Sequence, residues 1–235
     1  MKGRKPMKDF VSKTGTLWPM LALVTAVVAL PRGAGAQIFG SDPEGLKMTD
    51  SLIKKAEDVV KEAVTARGEI EKTLGSYNAL FQKTDSKEIR DSYKGIEKGI
   101  ERSEKQREEV RKKVDEMKVE AEAYFASWSE SIEQISSDNL RKRSEERMAE
   151  TRKHFDGVLN AVEQARGEYE PFISSLKDQW TYLGHDLNPS GIASLKPDAE
   201  KLNERGTALF KKIDEGMKKA GEYIDSLRSA RTTTS

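Results

Sequence analysis

The chain has 235 residues, of which 36 % are hydrophobic and 34 % charged, with 41 Lys/Arg against 40 Asp/Glu and no cysteine. Its mean hydropathy of −0.72 is low for a compact globule and ordinary for long helices packed along a narrow apolar seam. The missing cysteine excludes disulfides, thiolate metal sites, a cysteine nucleophile and lipid attachment at an amino-terminal cysteine.

The chain opens with an address. Lys2, Arg4, Lys5, Lys8 and Lys13 form a basic region, followed by the apolar run Leu17 to Leu30 and the small residues Ala34-Gly35-Ala36. The run is shorter than the ~20 residues of a membrane span, so the pattern predicts a secretory signal peptide over 1–36, cleaved after Ala36. Met7 is an alternative start, because a usable basic region survives without residues 1–6. Residues 1–36 hold six bases and one acid, so the remainder has 35 bases and 39 acids, a net charge of −4. Such a chain has no overall attraction for nucleic acid or anionic lipid.

Residues 37–45 are expected to be a short leader, in which Ser41, Asp42 and Pro43 are helix-start residues. Leu52, Ala56, Val59, Ala63, Ala66, Ile70, Thr73, Tyr77 and Leu80 then alternate steps of four and three. That is a heptad pattern broken once by Thr73. Lys83-Thr84-Asp85-Ser86 interrupts it, with Ser86 in position to cap the next helix. The second stripe runs from Ile89 through Ile96, Ile100, Val110, Val114, Met117, Ala121 and Tyr124 to Ile132, with Ser103 and Arg107 as polar intrusions. Ser136-Ser137-Asp138-Asn139 marks the next reversal, and Asp138 or Asn139 is the expected cap. The third stripe continues past Pro171 to Leu187, which predicts a bend near Gly167 rather than a break. A fourth helix is expected from about Ala193 to about Arg228, with Gly206 and Gly216 on its seam, and residues 230–235 form a patternless, disordered tail.

The expected fold is therefore all-α: an elongated antiparallel helical bundle over residues 46–229, with coiled-coil segments. Its four long helices have ~38, ~50, ~50 and ~36 residues, and the middle pair is ~75 Å long. The densest mix of polar and aromatic residues lies at the last reversal, PFISSLKDQWTYLGHDLNPSGIASLKP over 171–197. Pro189 disfavours helix at Asn188, and Gly191 permits a positive φ. Asp178, Gln179, Tyr182, His185 and Asn188 are the candidate hairpin-tip motif, read either as caps and braces of the turn or as a ligand site. The aromatic groups Tyr124, Phe125 and Trp128, and Phe172, Trp180 and Tyr182, are expected at opposite ends of the rod.

Familiar chemistries are missing. The sequence contains no GxxxxGK[ST], no GxGxxG after a strand and no HExxH. The Glu-x-x-His spacing of bundle metal sites is absent, because Thr151 precedes His154 and Tyr182 precedes His185 at that distance. No catalytic residue, metal site or cofactor is therefore expected.

Phe125-x-x-Trp128 with Leu140-Arg141, then Asp178-Gln179-x-x-Tyr182-Leu183-x-His185-x-Leu187-Asn188 with Ile192-Ala193-Ser194-Leu195, resemble a bacterial family. It is catalogued as domain of unknown function twenty-nine fifty-nine. The resemblance covers most of the chain after the signal and implies an exported, helical protein, without implying catalytic residues or a cofactor. Many members look like lipoproteins, whereas this chain has no cysteine to acylate.

The resulting expectation is a non-catalytic exported bundle, periplasmic or secreted. It would be a structural or partner-binding component of the cell envelope, acting through an unknown protein partner or self-association. It would bind no nucleic acid and keep no integral membrane span after cleavage. The alternative is a small-ligand or lipid-binding bundle, using a cavity opened by Pro171, Gly206 and Gly216.

Overall fold

The computed structural model describes residues 44–232. The expected signal peptide (1–36), leader residues 37–43 and tail residues 233–235 lie outside the described residues.

Helix α1 spans Glu44–Leu80, α2 Ser86–Glu133, α3 Asp138–His185, α4 Pro189–Ser194 and α5 Lys196–Thr232. All regular structure among the described residues is helical. The connections between long helices are short, which makes sequential helices antiparallel neighbours. They close into a ring: α1 packs against α2 and α5, and α3 packs against the same two. At about 1.5 Å per residue, the 48 residues of α2 or α3 extend roughly 72 Å. The four-helix expectation holds, with one addition. Helix α4 is a separate turn and a half, because Pro197 disfavours helical backbone at Lys196 and sits near the start of α5, where an N–H is not needed.

The ends of the elements differ from expectation in small, physical ways. The cap of α2 is Asp85, not Ser86: its Oδ1 accepts from the backbone N–H of Lys87 at 2.8 Å and of Glu88 at 3.0 Å. The cap position of α3 is Ser137, one residue before the expected Asp138 and two before Asn139, and Ser137 makes no side-chain capping bond. Helix α3 passes through Pro171 without interruption. Helix α5 continues to Thr232, past the expected end at Arg228.

Two apolar clusters fill the two ends of the bundle. The cluster at the α1–α2 and α3–α4 turns contains Tyr77, Leu80, Ile96, Phe172, Leu176 and Leu202. The one at the α2–α3 turn contains Leu52, Met117, Phe125, Phe155, Tyr223 and Leu227. The two aromatic groups read from the sequence divide between these ends, with Trp180 and Trp128 packed on the respective cluster margins. Each fully buried Leu or Phe contributes about 1.5–3 kcal/mol, so the ends hold the bundle together.

Two of the three seam irregularities, Thr73 and Ser103, meet. The Thr73 hydroxyl donates to the Glu69 carbonyl at 2.6 Å and lies 3.5 Å from Ser103 Oγ. A Cβ on Gly99 would fall 2.6 Å from Thr73 Oγ1, so Thr73 packs directly on the α2 backbone where α2 has no side chain.

Candidate functional site

The candidate motif at the end of α3 resolves into distinct parts. Gln179 is buried: its Oε1 accepts from the Tyr77 hydroxyl, and its Nε2 donates to Ser175 Oγ and to the Asp198 carbonyl, each at 3.4 Å. Asn188 caps α4, accepting at Oδ1 from the N–H groups of Ser190 and Gly191, both at 2.9 Å, while its Nδ2 donates to Asp186. Tyr182 is exposed, with its hydroxyl 3.0 Å from Ser194 Oγ. Asp178 and His185 stand exposed on the surface of α3.

Glycines let the hairpin close. A Cβ on Gly191 would lie 2.2 Å from the Asp186 carbonyl oxygen. A Cβ on Gly184 would lie 2.9 Å from the Tyr93 hydroxyl, whose ring stacks on Trp180 at 5.4 Å between centroids. Within this motif Gln179 ties α3 to α1 and α5, and Asn188 fixes the turn. The exposed members Asp178, Tyr182 and His185 are spread along the outer face.

A second feature lies halfway along the bundle, between the two apolar clusters. There the long helices line a hollow of about 360 Å³ that is open along one side. Its origin is in the sequence: Ala63 and Ala66 of α1, Ala161 and Ala165 of α3, and Gly216 and Ala220 of α5 all line it. Five alanine side chains and one glycine leave space that larger residues at those positions would fill. The expected cavity exists, but only one of its three expected residues lines it. Pro171 lies outside the lining. A Cβ on Gly206 would sit 2.8 Å from Leu74 Cδ2 and 3.4 Å from Phe172 Cε2, so that glycine admits close packing rather than opening space.

The lining is asymmetric. Helices α1 and α5 contribute only apolar residues, from Val59 to Ile70 and from Leu209 to Ala220. Every charged lining residue lies on α2, from Arg107 to Lys118, or on α3, at Glu163 and Arg166. The mouth is therefore the α2–α3 groove. Its rim carries Arg111–Glu108 and Arg166–Glu163 pairs at 3.5 and 3.4 Å, exposed i,i+3 contacts worth at most about 1 kcal/mol each.

At one end of the hollow stand Arg107 and Tyr169. The Arg107 guanidinium lies 5.9 Å from the centre of the Tyr169 ring, with Nη1 donating to Glu170 at 2.7 Å and Nη2 to Glu108 at 2.6 Å. Burial works against the Arg107 charge, but Glu108 and Glu170 outweigh it and raise its pKa. The side-chain hydroxyl of Tyr169, a residue only 5 % exposed, and Arg107 Nε are both buried without a hydrogen-bond partner. Leaving such a group unpaired costs about 1–3 kcal/mol. Burial also pushes the Tyr169 hydroxyl well above the ordinary tyrosine range, and the nearby Glu104 charge adds to it.

The signal for this place was present in the sequence as the polar intrusions Ser103 and Arg107 and as Gly216. It was not legible as a site, because heptad counting does not reveal that the small residues of three helices share a level. Among the described residues, no group of three or more His, Asp or Glu side chains is placed to hold a metal ion. No helix among them is long and apolar enough to cross a membrane.

The fold and its lining define an all-α bundle with a hollow at its middle. Residues 41–227 match the family described as "Protein of unknown function (DUF2959)", and the chain belongs to that family. No curated protein and no solved structure matches it.

Proposed function

We propose that the chain is an exported, non-catalytic binding protein of the cell envelope, and that its ligand is a small apolar molecule held in the hollow at the middle of the bundle. The basic and apolar segments of residues 1–36, with Ala34-Gly35-Ala36 before Gln37, support Sec-type export and delivery of the bundle to the periplasm or exterior. The observation that carries the binding reading is the hollow itself. At about 360 Å³, with two of its four walls wholly apolar, it falls in the size range of small-molecule sites.

Of the two occupants weighed from the sequence, this favours the small molecule over a protein partner. The exposed large hydrophobics among the described residues, Val64, Val119, Leu140 and Tyr182, stand at separate levels of the bundle and form no common patch. The two buried, unpartnered donors at the end of the hollow, on Arg107 and Tyr169, favour holding over turnover. An arginine stays protonated and a tyrosine with a raised pKa stays neutral, so neither shuttles protons near neutral pH.

Native mass spectrometry of the full-chain product, isolated from its own host without detergent, tests this reading. The expected result is a retained small molecule that is absent from Gly216→Leu, a variant whose added side chain projects into the hollow and blocks it partway along. A bare polypeptide that also fails to take up any apolar probe would overturn it.

A further inference from the structure

We infer that the hollow takes a single unbranched acyl chain of about a dozen carbons, whose carboxyl or ester oxygen accepts hydrogen bonds from the Tyr169 hydroxyl and Arg107 Nε. This rests on the binding reading above and specifies its ligand.

Shape gives the chain. The lining of α1 runs from Val59 to Ile70 and that of α5 from Leu209 to Ala220, eleven residue steps on each helix. At about 1.5 Å per step, the hollow is roughly 16 Å long and follows the bundle axis. A hydrocarbon zigzag with bonds of about 1.5 Å at about 111° advances about 1.25 Å per carbon, so a dozen carbons reach roughly 15 Å. Volume agrees independently. A 150 Å³ cavity holds benzene, so about 360 Å³ holds roughly fourteen carbon-sized atoms. A slot with this length and volume suits a chain better than a fused-ring body.

Polarity gives the head. Arg107 Nε can only donate, and the Tyr169 hydroxyl also has its proton to give. Both lack a partner and sit closed to water in the wall at the same end of the slot, so the head reaches them by turning the Tyr169 and Arg107 side chains toward it. An oxygen acceptor satisfies the two together. A cationic head is disfavoured there by the Arg107 guanidinium. A carboxylate and an ester share the required acceptor, and the rim of the mouth does not choose between them, since its cations are paired with Glu108 and Glu163.

Calorimetric titration of the full chain with four amphiphiles, each below its micelle concentration, tests the inference. Dodecanoate and monododecanoylglycerol are expected to bind one per chain. Dodecyltrimethylammonium, which has no acceptor, is expected at least tenfold weaker. Octanoate, four methylenes shorter, is also expected at least tenfold weaker. Tyr169→Phe and Arg107→Gln should each weaken the two oxygen-bearing ligands about fivefold or more, and neither should weaken dodecyltrimethylammonium. Gly216→Leu should abolish binding while retaining its helical circular dichroism.

Equal binding of dodecyltrimethylammonium and dodecanoate would overturn the acceptor, and equal binding of octanoate and dodecanoate would overturn the chain. In both cases the binding reading would stand. Uptake of none of the four, together with exclusion of apolar probes such as anilinonaphthalene sulfonate, would overturn both readings.

Discussion

The hydroxyl of Tyr77 on α1 donates to Oε1 of Gln179 on α3, across the diagonal of the bundle. Both residues are buried, Tyr77 completely, so the bond is made where water cannot replace it. Gln179→Leu would leave the Tyr77 hydroxyl without an acceptor and is expected to cost about 1–3 kcal/mol in urea unfolding. Adding Tyr77→Phe to Gln179→Leu should cost less than the sum of the single changes, because the second removes the orphan left by the first. Strict additivity would show that the pair is not coupled.

Stability should fall at alkaline pH. Tyr77, Tyr169 and Tyr223 are each at most 5 % exposed, and burial raises the pKa of all three. The folded state therefore holds their protons more tightly than the unfolded chain, whose tyrosines titrate near 10. The stability linked to them is complete below that pH and is lost as pH rises toward the folded values. Thermal melts should show a loss beginning above about pH 10, reduced in slope by Tyr223→Phe. A melting temperature flat to pH 11.5 would contradict this.

Long-range periodicity made the fold legible. Leu52 to Leu80 and Ile89 to Ile132 occupy inward positions at the spacings read from the sequence, and the turns fall where Ser, Asp, Asn and Pro collect. Local chemistry misplaced the caps, since Asp85 and Ser86, or Ser137 and Asp138, compete for one position and tertiary packing sets the entry angle. The polar signature around Gln179 was legible as a cluster but not as parts. Only three-dimensional placement separates buried Gln179 from exposed Asp178. The hollow was the least legible. Gly216 marked it, but Gly206, an identical residue ten positions earlier, is filled by Leu74 and Phe172 from other helices.

Glycine substitutions should separate these two roles. Gly216 is in the helix interior with its nearest would-be contact, Ala161 Cβ, at 3.8 Å. Gly216→Ala should therefore stabilise by about 0.5–1 kcal/mol, a rise of about 2–4 °C per kcal/mol. Gly191→Ala drives a Cβ into the Asp186 carbonyl and should destabilise by about 1–3 kcal/mol. A destabilised Gly216→Ala or a neutral Gly191→Ala would contradict the packing described.

Export leaves a chemical record. Amino-terminal sequencing of the chain from the envelope fraction should begin at Gln37, whether synthesis starts at Met1 or Met7. A chain retained in the cytoplasm with its first residues intact would remove the envelope from the account.

Binding at the middle of the bundle, entered through the α2–α3 groove, should register in amide hydrogen exchange of the full chain with and without dodecanoate. Slowed exchange in the lining segments, residues 59–70, 103–118, 158–169 and 209–220, strongest in α2 and α3 at the mouth and absent in Gly216→Leu, is the predicted result. Unchanged exchange there, or protection appearing instead around residues 178–195, would contradict it.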